Sequence, residues 1–186
     1  MMQLPSVFPL GLFVISAAFC AVAIFRFLRP RRRWRIKAAD SVLAKVNSIE
    51  SAAQRFGYLR KVDPFTFEEM ILTALDREGH TIMRNRRYTG DGGIDGRVVI
   101  NGNKFLVQAK RYKSHINPKD VSAFVSLCDQ HKRYGLFVHT GKTGPASKAA
   151  MVSSSVQLIS GDKLLRLLDD ETALCPPQNT EIRCPT

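Results

Sequence analysis

Residues 91–110 read DGGIDGRVVINGNKFLVQAK, and this stretch decides the fold. Two runs of apolar-rich alternation, IDGRVVI and KFLVQAK, flank Asn101-Gly102. Asn-Gly between such runs is a strong hairpin signal, because both residues tolerate the positive φ that a two-residue turn needs. Pairing about that turn brings Asp95 near the level of Gln108. Side chains alternate along a strand. Leu106, Gln108 and Lys110 therefore share one face, and Phe105, Val107 and Ala109 the other. The second set is wholly apolar and is expected to face the core. The first puts an amide and an ammonium side by side on a strand expected to be central. An unpaired buried charge is costly, so Lys110 needs water, an anion or a carboxylate, and Asp95 can supply the carboxylate. Gly90, Gly92 and Gly93 allow close approach by a ligand, and Asp91 lies in the same loop.

Working outward, DPFTFEEMILTALDREGH opens with Asp63 as an N-cap and Pro64 at the first helical position. Phe67, Met70, Ile71, Ala74 and Leu75 form its apolar stripe, and Gly79 ends it. HTIMRNRRY reads as a short irregular strand. After the hairpin, Asn117-Pro118 opens a helix with Val121, Phe124, Val125 and Cys128 on its apolar face. YGLFVHT reads as a buried strand, PASKAAMVSSS as a helix, VQLIS as a strand and KLLRLL as a last helix. The order predicts a mixed α/β sheet: an antiparallel meander continued by a parallel crossover, with helices on both faces. Residues 38–62 carry Val42, Val46, Ile49, Ala53 and Phe56 near helical spacing, which predicts one connecting amphipathic helix.

The 186-residue chain is 45% hydrophobic and carries a net charge of +12, a balance that suits anionic partners, nucleic acid or a membrane surface. The run LPSVFPLGLFVISAAFCAVAIF, residues 4–25, has no charged residue and is about as long as a helix needs to cross a bilayer. Arg26, Arg29, Arg31, Arg32, Arg33, Arg35 and Lys37 follow it with no acid among them. A secretory signal carries its charge before the apolar run, not after it. We expect a single-pass transmembrane helix at the cell inner membrane, with everything after it cytoplasmic. The expected organisation is a transmembrane helix at 4–25, a basic juxtamembrane segment and connecting helix at 26–62, a compact domain at 63–172 and a disordered tail at 173–186.

Other chemistries are set aside. Four cysteines form no CxxC pair, and a cytoplasmic domain keeps thiols reduced, so no disulfide is expected. Cys128 and His131 are two ligand types without partners, which suits packing and surface roles better than zinc. Gly141-Lys142-Thr143 follows a strand as in a P-loop, but Leu136 stands where that loop needs glycine.

A carboxylate, a lysine and an amide at one sheet end suit a divalent cation held by oxygens near an anionic substrate. Glu68 or Glu69 can add a second carboxylate from the preceding helix, its neighbour being solvated. Together, PFTFEEMILTALDREGH, GDGGIDGRVVINGNKFLVQAKRY and YGLFVHTG resemble the catalytic domain of Mrr-type restriction endonucleases, within the PD-(D/E)xK nuclease group, over roughly 63–168. The resemblance implies a restriction-endonuclease-like fold and metal-dependent hydrolysis of DNA phosphodiesters. It matches Asp95 to the metal-binding acid, Glu68 to the helix-borne acid and Lys110 to the lysine that activates water and steadies the phosphate. Gln108 stands where many of the wider group carry Asp or Glu and Mrr-like members commonly carry Gln. Mg²⁺ or Mn²⁺ is the implied cofactor, with Asp95 and Glu68 as ligands. By the same resemblance His139 stands where the family often has a small hydroxyl residue, and it reads as a packed histidine or a neighbour of the site.

Arg84, Arg86, Arg87, Lys104, Arg111 and Lys113 are candidates for gripping the backbone of double-stranded DNA. Cutting both strands calls for two active sites, so a homodimer is an expected partner. The expected function is a membrane-anchored, metal-dependent DNA endonuclease acting on foreign or modified DNA. Two other readings are a catalytically silent, membrane-tethered DNA-binding module and a membrane assembly factor that binds a protein partner.

Overall fold

A computed structural model describes residues 16, 19–20, 34–85, 92–152 and 154–169. Helix α1 covers 34–47, and α2 (Ala52–Leu59) and α3 (Pro64–Arg77) follow. Strands β1 (Thr81–Arg84), β2 (Gly96–Ile100) and β3 (Asn103–Lys110) come next. The chain continues through α4 (Pro118–His131), β4 (Tyr134–His139), α5 (Pro145–Ala149), β5 (Val156–Ile159) and α6 (Asp162–Leu168). The sheet order is β1-β2-β3-β4-β5. The first three strands pair antiparallel, and β3, β4 and β5 pair parallel, as the element order predicts.

The hairpin sets the register. Asn101 and Gly102 have φ of 51° and 80°, the double positive-φ turn whose twist matches the strands it joins. Gly96 lies opposite Val107, which puts Asp95 one step beyond the ladder, level with Gln108. Two cores sandwich the sheet. Phe105, Val107 and Ala109 pack under α1, α3 and α6 in the larger one. Leu106 turns to the other face, with Ile94, Val121, Phe124, Cys128 and Phe137 under α4. Helix α3 begins as predicted: Asp63 accepts a hydrogen bond from the Thr66 N–H at 3.0 Å, and Pro64 occupies the first turn.

The connecting segment differs from expectation. One helix was expected over 38–62, but the chain breaks after residue 47 and restarts at Ala52. The last turn tightens, with the Ile49 N–H bonded to the Val46 carbonyl at 3.1 Å, and side chains hold the end in place. The Ser48 hydroxyl donates to the Lys45 carbonyl at 2.8 Å, and the Asn47 amide reaches the Leu168 carbonyl at 3.0 Å. Both helices pack on the domain. Ala39, Leu43 and Val46 of α1 and Leu59 of α2 are fully buried in the larger core.

Among the described residues no helix is long and apolar enough to cross a membrane. The run 4–25 lies outside them apart from Ser16, Phe19 and Cys20. The tail, Cys175 and Cys184 also lie outside the described residues. Cys128 is a buried free thiol, and burial pushes its pKa up to about 12. His131 beside it is exposed, so the two do not form a ligand pair.

Candidate active site

The α3 N-terminus, the start of β2 and the end of β3 enclose a cleft of about 620 Å³. Glu68, Asp95, Gln108 and Lys110 all line it. Three local rules deliver them. Glu68 lies one turn into α3, on the same face as Pro64 and Phe65 by helical spacing. Asp95 is delivered by the hairpin register. Gln108 and Lys110 share a strand face by the period-two rule.

Asp95 caps the end of β3. One carboxylate oxygen accepts the Ala109 N–H at 2.6 Å, and the Asp95 N–H donates to the Val107 carbonyl at 2.8 Å. Burial raises the Asp95 pKa to about 6, against the opposing pull of the Ala109 N–H and the Lys110 charge. Glu68 is raised further, to about 8, first by burial and then by the Asp95 charge, with Arg35 opposing. Two carboxylates at these values are each short of a compensating positive charge.

Gln108 is 7% exposed and anchored on one side only. Its Nε2 donates to the Gly93 carbonyl at 2.7 Å. Its Oε1 is buried without a hydrogen-bond partner. Gly93 has φ of +94°, and a Cβ there would overlap Gln108 Nε2, so this close approach requires glycine.

Among the described residues no three His, Cys, Asp or Glu side chains gather into a metal-holding group. The cleft instead offers two carboxylates and one amide oxygen. All three are hard oxygen donors of the kind Mg²⁺ and Mn²⁺ take. The unpartnered Gln108 Oε1 and the two raised carboxylates fit such an ion.

Lys110 departs from expectation. Its carboxylate partner is Asp120, with Nζ to Oδ1 at 3.1 Å, rather than Asp95, whose oxygen is engaged by the Ala109 N–H. Asp120 projects from the first turn of α4, an element the hairpin pattern does not involve. The other Asp120 oxygen accepts the Tyr112 hydroxyl. Burial works against the Asp120 charge, but Tyr112 and Lys110 outweigh it and hold the carboxyl below the usual range. Tyr112 is fixed in turn, its N–H and C=O both bonded to the Thr140 hydroxyl at 3.0 Å. Sequence reasoning missed Asp120. It is the first acid downstream of Lys110 and follows the Asn117-Pro118 helix start, and that proximity was the available signal.

Glu69 is a second correction. It is 3% exposed rather than solvated, and it is paired with Arg84. Arg84 also reaches Asp76 at 3.2 Å. Both guanidinium edges are thus spent on α3 carboxylates at the sheet edge, away from the cleft. Arg111 lines the cleft and donates to the Arg60 carbonyl at 3.2 Å. Lys113 is exposed on the loop beyond it. Lys104 sits at the opposite end of β3, six residues or about 20 Å from Lys110. Arg86, Arg87, Gly90 and Asp91 lie outside the described residues.

His139 is the strand partner of Lys110 but does not line the cleft. It is fully buried beside Phe137, its Nε2 lies 3.3 Å from the Thr143 hydroxyl, and burial pulls its pKa down to about 4. It is a packed, neutral histidine. The Gly141–Thr143 turn is a structural joint: the Lys142 N–H bonds the Ser114 carbonyl at 2.8 Å, and the Ile116 N–H bonds the Lys142 carbonyl at 3.0 Å.

A family model described as "Restriction endonuclease", Mrr_cat, matches residues 59–168. No curated protein and no solved structure matches the chain.

Proposed function

The chain belongs to the restriction endonuclease family of the Mrr catalytic type, and from that membership we propose a metal-dependent DNA endonuclease tethered to the inner membrane through residues 4–25. The observation that carries the reading is the convergence of Glu68, Asp95, Gln108 and Lys110 on one cleft. Asp95 and Glu68 would hold Mg²⁺ or Mn²⁺, with the Gln108 amide oxygen as a neutral third donor. Such an ion supplies Lewis-acid stabilisation of charge building up on the phosphoryl oxygens.

The chain's own groups do the rest. Lys110 brings an ammonium to the cleft, where it can hydrogen-bond an attacking water or steady the scissile phosphate. Asp120 orients that ammonium, and Tyr112 keeps Asp120 in place. The Ala109 N–H fixes the Asp95 carboxylate in one rotamer. Arg111 and Lys113 grip the backbone along the rim, contacts that carry no sequence information and weaken with salt. The excess of arginine after residue 25 supports a cytoplasmic domain. Two copies acting together would cut both strands.

The test is incubation of the full chain, in detergent or nanodiscs, with plasmid DNA and Mg²⁺ or Mn²⁺. Cleavage lost in Asp95→Ala and Lys110→Ala supports the reading. Cleavage unaffected by both substitutions sinks the site assignment. The alternative, a tethered module that binds DNA without cutting it, rests on the neutral amide at Gln108. It predicts retained DNA with no cleavage under any divalent ion.

A further inference from the structure

The family match begins at residue 59, yet the larger core begins with α1. Ala39, Leu43 and Val46 recur at helical spacing and are fully buried against the domain. Polar ties reinforce this face. Asp40 pairs with Arg77 of α3 at 3.0 Å, and the Asn47 amide at the end of α1 donates to the Leu168 carbonyl of α6 at 3.0 Å. Helix α1 is thus a built layer of the nuclease unit, and its turn from residue 34 has a fixed address.

That address is beside the cleft. The Arg35 guanidinium lies over the Phe65 ring, 4.8 Å from Cζ to the centroid. Phe65 directly follows Pro64, which lines the cleft, and precedes Glu68 by three positions on one helix face. Arg35 is also among the charges that act on Glu68, holding its carboxyl down against burial. An arginine held over an aromatic ring loses rotamer freedom, and its planar fork of donors matches a phosphate in a way lysine cannot. Arg35 is half-buried as a residue, its Nη1 enclosed, and Trp34 beside it is exposed.

We propose that Arg35, stacked on Phe65, is a DNA-phosphate contact that extends the cleft wall beyond the family domain. The inference rests on the reading of the cleft as a DNA site. The Arg35 position, against the cleft wall rather than at a remote face, favours DNA over anionic lipid as its partner.

The experiment measures affinity of the full chain for duplex DNA in chelator, across a salt series, in nanodiscs of neutral phosphatidylcholine. Loss of one phosphate contact lowers the slope of log affinity against log salt by about 0.9. Arg35→Ala is expected to show that drop with severalfold weaker binding at low salt. Arg35→Lys should keep the slope but bind more weakly than wild type. Arg35→Gln, which retains a stem over Phe65, is the second neutral variant if the alanine protein does not fold. Wild-type slope in the neutral variants overturns the proposal. So does a defect that appears only in phosphatidylserine nanodiscs, which would assign Arg35 to lipid. If the wild type itself fails to bind DNA, the cleft reading falls as well; if it binds and the variants match it, only the Arg35 assignment falls.

Discussion

Lys110 is bound to Asp120, Nζ to Oδ1 at 3.1 Å, across the gap between the end of β3 and the first turn of α4. The lysine at the cleft is therefore aimed by a residue outside the hairpin. Asp120→Ala is expected to lower kcat for DNA cleavage about ten- to hundredfold, the size of a misplacement effect, while KM stays near wild type. Asp120→Glu should recover part of the loss, and Tyr112→Phe should cost less than Asp120→Ala. A wild-type kcat in Asp120→Ala would remove the positioning role.

Gly93 is the backbone counterpart of Gln108. Its φ of +94° and the overlap of any Cβ with Gln108 Nε2 make alanine doubly unfavourable. Gly93→Ala should destabilise the protein by about 1–3 kcal/mol and lower activity by swinging the amide away. Thermal unfolding and a cleavage assay on the folded fraction check both parts. Full activity with an unchanged melting temperature would show that the loop relaxes at no cost.

The raised carboxylates make stability depend on pH in a stated direction. Glu68 at about 8 and Asp95 at about 6 lie above their ordinary values of 4.5 and 3.8. Between those limits the native state holds more protons than the unfolded state, so stability in chelator falls as pH rises from about 4 to about 8. His139, depressed to about 4, acts the opposite way: its contribution is lost as pH falls from 6.5 towards 4. Comparison with Glu68→Gln cancels the histidine. The variant should melt higher than wild type in chelator at pH 8, with the gap closing near pH 4.5. Mg²⁺ should stabilise the wild type more at pH 8 than at pH 5. A gap that does not change with pH would contradict the assigned shift.

Arg84 carries a structural prediction. Its side chain is 13% exposed and Glu69 only 3%, so removing the cation leaves a buried charge unpaired. Arg84→Ala should cost about 3 kcal/mol of stability and leave the salt dependence of DNA binding unchanged. A lower salt slope with unaltered stability would return Arg84 to the DNA-contact set.

What was legible in the sequence follows from how local each signal is. The hairpin about Asn101-Gly102, the N-cap at Asp63 and the two faces of KFLVQAK depend on neighbours within a few residues. Those parts of the fold came out as expected, and so did the gathering of Asp95 and Gln108. The partners of charges depend on the third dimension. Glu69 and Arg84, fifteen residues apart, meet because α3 packs over β1, and no spacing rule connects them. Asp120 meets Lys110 because α4 crosses the sheet at the height of the cleft. The break after residue 47 was hidden because Val42, Val46 and Ile49 keep helical spacing across it, while the backbone tightens at Ile49 and the Asn47 amide turns to Leu168 of α6.

The packing of α1 also bears on how far the nuclease can roam. Only eight residues, 26–33, separate the apolar run from residue 34, the first described residue of that helix. Fully extended they reach about 28 Å. With 4–25 seated in a bilayer, the cleft would patrol a thin layer of cytoplasm rather than its volume. DNA passing through that layer would meet a locally concentrated enzyme, whereas DNA deeper in the cell would lie out of reach. A short leash would then serve as a form of substrate selection, by position rather than by base sequence.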